Sequence, residues 1–122
     1  MRQALSKVNL NGVDLSWRDL TEVNLDEASL VEAKLVGAKL IRIKLRNASL
    51  KQANLVGADL TQADLSKADL SQAELTGANL TGANLNGANL SGADLSRANL
   101  NEIDLIEVNL SGATMPDGTI HD

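Results

Sequence analysis

The chain has 122 residues, of which 43% are apolar and 22% charged, enough for one domain and not for two. It has no Cys, Phe or Tyr and only one Trp, one His and one Pro, so any core is aliphatic, and disulfides and thiolate metal sites are excluded. The formal net charge of -5 argues against general affinity for nucleic acid or anionic membrane, and the apolar runs are too short for a membrane-spanning helix or a signal-peptide core.

Leu occupies every fifth position from Leu5 to Leu110, and the chain has no Leu elsewhere. Two residues before each central residue from Leu10 to Met115 stands a small or β-branched side chain, Arg18 excepted. Asp, Asn or Ser most often precedes the Leu, as in Ala58-Asp59-Leu60 and Ala78-Asn79-Leu80, and Ser, Thr or Asn most often follows it. A step of five scatters side chains around an α-helix. On a straight strand it alternates them between faces. All the Leu point one way only if the chain turns once per repeat, which predicts a solenoid with Leu and Ala inside and turn-compatible residues outside.

The runs from Ala53-Asn54-Leu55-Val56-Gly57 to Ser96-Arg97-Ala98-Asn99-Leu100 resemble the pentapeptide-repeat family. The resemblance covers residues 3–115 and implies an all-β fold, a right-handed quadrilateral β-helix with four pentapeptides per coil. About five and a half coils spaced by about 4.8 Å would make a rod of about 26 Å. The chain then reads as one solenoid domain, 1–122, with a tail at 116–122. The charges give a partial check. Opposite charges lie twenty residues from eight of the eleven bases, Arg2/Glu22 among them, against seven at twenty-five and four at fifteen. The coil length therefore rests on the resemblance.

Taken in chain order, the first feature is the start. Residues 1–4 are too few for a capping helix, so the coil holding Leu5 to Leu20 is expected to be poorly covered. In it, Trp17 takes an outward slot and Arg18 an inward one, from which it can reach water, Asp14, Asp19 or a second molecule. Leu10 and Arg18 are the candidate contacts for a homodimer through the N-terminal coil. Trp17 leads at offset twenty to Gly37, Gly57 and Gly77. Two readings stand: a contact patch of Trp17, Val36 and Val56, or an indole folded down over Val36.

Lys34, Lys39, Arg42, Lys44, Arg46 and Lys51 follow with no acid between them. Consecutive repeats lie on consecutive sides, so these bases form a belt around the rod, and no stripe for phosphate. Asp59, Asp64, Asp69 and Glu74 fall on different sides by the same rule. Gly77 to Gly92 recur at corners and form no phosphate loop. Finally, Met115 and Ile120 continue the inward phase, and Pro116-Asp117-Gly118 forms a turn that would lay the tail across the last coil.

The catalytic inventory is poor. A single His, no Cys and carboxylates on a convex rod without a cleft provide no nucleophile, no metal site and no cofactor site. The expected function is a non-enzymatic rigid solenoid acting as a protein-interaction or scaffold module, with no nucleic-acid or membrane partner. The alternative that the family resemblance implies is a DNA mimic binding DNA gyrase, and gyrase-binding members concentrate acids on one face of a longer or dimeric rod. With no targeting segment in view, the expected location is cytoplasmic.

Overall fold

An inward side chain at every fifth residue obliges the backbone to change direction once per repeat. The computed structural model describes residues 5–122. From Asn9–Ser29 to Asp94–Thr114, the residue before each Leu forms a parallel bridge to the residue twenty positions on, with one gap. The coil is therefore twenty residues long and four-sided, which the charge pattern alone left open. Arg2, expected opposite Glu22, and the first four residues lie outside the described chain.

The repeat from Asp59 to Ala63 shows where each amide goes. Asp59 N–H donates to the Ala38 carbonyl of the coil before (3.0 Å), and Leu60 N–H to the Asn79 carbonyl of the coil after (2.7 Å). Gln62 N–H also reaches forward, to Thr81 (2.9 Å), while Ala63 N–H closes a turn onto Leu60 (3.0 Å). Thr61 N–H is left without a main-chain acceptor, and the Asp59 carboxylate takes it at 3.0 Å. Asn79 does the same for Thr81, which explains why Asp and Asn interchange before Leu. Where Ser or Lys fills that slot, the preceding coil can supply the acceptor. Val31, Val36 and Arg46 N–H donate to the side chains of Asn11, Ser16 and Asp26.

The third residue of each turn has positive φ, from Lys7 (64°) through Glu102 (62°) and again at Gly112 (72°). Only eight of these corners are Gly, and thirteen carry larger side chains such as Gln62 (57°) and Arg42 (55°). Each non-Gly corner costs about 1 kcal/mol or more, offset by the turn bond that closes behind it and, at corners such as Gln62, by the side-chain acceptor on the amide ahead of it. Inside, every Leu from Leu25 to Leu95 is at most 2% exposed, with Ala28 to Ala98, and Ile43 in their series, buried between them.

The ends differ. In the first coil Leu5 is 40% exposed, and Leu10, Leu15 and Leu20 are only half-buried. At the other end the chain turns at Pro116–Gly118 and returns antiparallel, pairing Thr114 with Ile120. His121 N–H bonds the Ala113 carbonyl at 2.8 Å, and Gly112 N–H bonds that of His121 at 2.9 Å. The tail thus pairs with the last rung's backbone and does not fill the interior. Ile120 is 64% exposed, contrary to the inward phase expected of it, because the antiparallel return abandons the five-residue period.

The expected absence of a cleft is also corrected. The ladder omits Asn84–Asp104, and Gly87 N–H bonds Glu107, where the regular register would give Ile106. At this one-residue slip lies a surface cavity of about 310 Å³, beside Asn84, Asn86, Glu102, Asp104 and Glu107.

Two comparisons of stability follow. Leu55→Ala should cost about 2–5 kcal/mol in urea unfolding, and Leu10→Ala roughly half of that or less, since Leu10 is already partly in water. Asp59→Ala should cost about 1 kcal/mol, whereas Asp59→Asn, which keeps the acceptor, should cost almost nothing.

Candidate interaction surface

Because the coil repeats at twenty residues, each corner slot stacks into a column along the rod. One column runs Trp17, Gly37, Gly57, Gly77, Arg97. Its amides bond in turn to Val36, Val56, Thr76, Ser96 and Pro116 at 2.9–3.0 Å, which fixes the register of the column. A Cβ on Gly37 would fall 2.1 Å from Cζ3 of Trp17. The indole therefore lies over the bare Cα of Gly37, the residue that follows Val36. Trp17 remains 76% exposed. Val36 and Val56 are half-buried beside it, and Cβ atoms on Gly57 or Gly77 would meet nothing within 4 Å.

Leu10 and Arg18 lie in the first coil and not in this column. Leu10 is half-buried and Arg18 exposed. Arg18 keeps its place in the turn, with its N–H on the Leu15 carbonyl at 3.2 Å, but its side chain leaves the interior. The Asp14 carboxyl is held below its usual value, first by the Ser16 amide and hydroxyl, then by Lys34 and Arg18.

Bases and acids are interspersed along the rod. Lys34, Lys39 and Lys44 sit on three successive faces, in ladder slots next to Asp14, to Asp19 and Asp59, and to Asp64. Arg42 pairs with Glu22 at 3.0 Å, and Arg46 with Asp26 at 2.6 Å and Asp64 at 4.0 Å. Asp59, Asp64, Asp69 and Glu74 belong to four different ladders. Neither a basic stripe nor an acidic one results.

The sequence reading missed the cavity at Asp104. Its one signal is that Ile103 and Val108 fill inward slots that carry Ala in every repeat from Ala48 to Ala98. Among the described residues, no three of its carboxylates or any His can jointly hold a metal ion. His121 is exposed, its Nδ1 2.9 Å from the Asp122 carbonyl oxygen. No helix of the described residues is long and apolar enough to cross a membrane.

The family model described as pentapeptide repeats matches residues 9–47, 43–82 and 73–112. Among solved structures, the chain is similar to the pentapeptide repeat protein Rfr23 from the cyanobacterium Cyanothece 51142. The two share 34% identity over 96% of this chain and 90% of that one, with a TM-score of 0.75. It is also similar to a pentapeptide repeat protein from the Arabidopsis thaliana thylakoid lumen, at 34% identity over 93% of this chain and 72% of that one, with a TM-score of 0.54. No protein of curated function matches.

Since Trp17 is the only Trp, its fluorescence reports on this site. Gly37→Ala must displace the indole and should shift the emission, while Gly57→Ala, equally strained in φ, should leave it unchanged. Acid should destabilise the fold. The carboxyls of Asp14, Asp94 and Asp117 are lowered chiefly by bonds from Ser16, Ser96 and Thr119. For Asp26, burial pushes the other way, but Arg46 outweighs it and the net direction is down. Lowered carboxyls contribute stability that is full above the unfolded value of 3.8 and lost as pH falls through the folded values below it. Thermal melts should therefore change little from pH 7 to 5 and fall steeply below pH 4, less so for Asp26→Asn.

Proposed function

Because the chain belongs to the pentapeptide-repeat family, whose members form right-handed quadrilateral β-helices, we propose that it is a non-enzymatic rigid solenoid serving as a protein-interaction or scaffold module. The Trp17 column, with Val36 and Val56, is its contact surface. One observation carries this reading: the sole aromatic residue is 76% exposed at a positive-φ corner, seated on a glycine. Trp is enriched among residues that dominate binding energy, because it buries much area with few rotatable bonds. The mixed charges on every face support a protein partner over phosphate, and equally disfavour mimicry of DNA.

The first coil is a second surface. Its half-buried Leu10 and its exposed Leu5 and Arg18 suit contact between the N-terminal ends of two copies. Leu10→Lys and Arg18→Glu should weaken that contact in light scattering, while removal of residues 119–122 should not.

The immobilised protein should retain a protein from a cell extract that the Trp17→Ala variant loses, and it should leave supercoiling by purified gyrase unchanged. Equal retention by the two forms would refute the Trp17 surface. Inhibition of gyrase at stoichiometric amounts would establish the DNA-mimic reading instead.

A further inference from the structure

We infer that the Trp17 column is self-complementary and pairs with the same column of a second copy, the two rods side by side and antiparallel. This rests on the reading of the column as a contact surface and names a partner for it. Set against itself reversed, the order Trp17, Gly37, Gly57, Gly77, Arg97 places glycine against glycine and Trp against Arg. A two-fold axis across the rod at Gly57 sets Trp17 of each copy opposite Arg97 of the other, Gly37 opposite Gly77, and Gly57 opposite itself. One indole face covers Gly37 and the other is open, while Arg97 is exposed. A guanidinium over the open indole face is a favourable cation–π contact.

The glycines make the close approach feasible. In the middle coils the other three corner columns carry Glu32, Gln52 and Gln72; Arg42 and Gln62; and Glu27, Asn47 and Lys67. Only this edge lacks side chains at three successive levels, and Gly37 already accepts an indole against its Cα. The flanking residues match under the same axis: Val56 meets Val56, Val36 meets Thr76, Ser16 meets Ser96, and Lys34 meets Glu74. Two like-charge meetings oppose them, Asp14 with Asp94 and Asp59 with itself. The strip spans four coil spacings, about 19 Å, and is narrower than a stable interface requires. The pair is consequently weak and forms at high protein concentration.

The sequence has no Cys, so single-cysteine variants test the geometry cleanly. Gly57→Cys should form a disulfide-linked dimer under mild oxidation at least tenfold faster than Gln52→Cys, which lies on another corner of the same coil. Adding Trp17→Ala should remove that advantage. Gly57→Gln places a residue already tolerated at the corners of Gln52, Gln62 and Gln72, so it should fold normally yet weaken dimerisation at least tenfold in sedimentation equilibrium. An equimolar mixture of Trp17→Ala and Arg97→Ala, which regains one intact pair, should associate more strongly than either alone. Equal crosslinking at residues 57 and 52, or sedimentation unchanged by Gly57→Gln, would overturn the pairing. Capture of another protein through Trp17 would survive that result, so failure of self-pairing is distinguishable from failure of the surface itself.

Discussion

In each five-residue step of this fold, one amide has no main-chain acceptor, and the structure depends on what side chain reaches it. In the middle coils the four other amides are committed to the coil before, the coil after, or the turn. The residue after Leu would be left unsatisfied at a partly buried corner, at a cost of about 1–3 kcal/mol each time. Asp or Asn two residues earlier accepts its N–H along most of the rod, from Asn9 to Asn109. Where that acceptor is absent, the coil before can lend one, as Asn11, Ser16 and Asp26 do. With that amide bonded, corners as unlike glycine as Lys67 and Glu22 hold a positive φ. The aliphatic interior supplies the driving force, but this hydrogen bond lets the chain turn without leaving an amide unsatisfied.

How much of this was legible in the sequence follows from which forces leave a periodic trace. Burial does: the slots of Leu25 to Leu95 were readable because a buried side chain tolerates so little variation. Coil length was not, because the charge pairs that could report it are exposed and worth little. Of the bases with an opposite charge twenty residues away, Arg42 and Arg46 form close ion pairs, while Lys34, Lys39 and Lys44 are placed by backbone bridges. Positive φ at Gln62 or Lys67 was invisible, since neither side chain favours it. The slip at Glu107 and the outward Ile120 arise where the period is broken by packing or by the tail's antiparallel pairing.

The functional surface shows the same division. Trp17 was conspicuous in the sequence as the only aromatic residue, and offset twenty placed Gly37, Gly57 and Gly77 in line with it. The seating of the indole on Gly37 needed coordinates, because it turns on the absence of a Cβ. Reading the column as far as Arg97 turns an isolated exposed aromatic into an ordered strip with a direction. A solenoid with a regular core distinguishes its edges only by what it places at the corners, and here one edge is nearly empty between two large side chains.

The central claim, that backbone bonding between coils twenty residues apart organises the chain, is tested most directly by amide hydrogen exchange read residue by residue. The structure predicts slow exchange at Leu50, Leu60 and Leu70, whose amides bond the next coil at 2.6–2.7 Å. It also predicts protection of Thr61 and Thr81, held by Asp59 and Asn79, and much faster exchange at Leu85, beside the missing Asn84–Asp104 rung, than at Leu80 or Leu90. Rapid exchange throughout the middle coils, or Leu85 protected as well as its neighbours, would contradict the account.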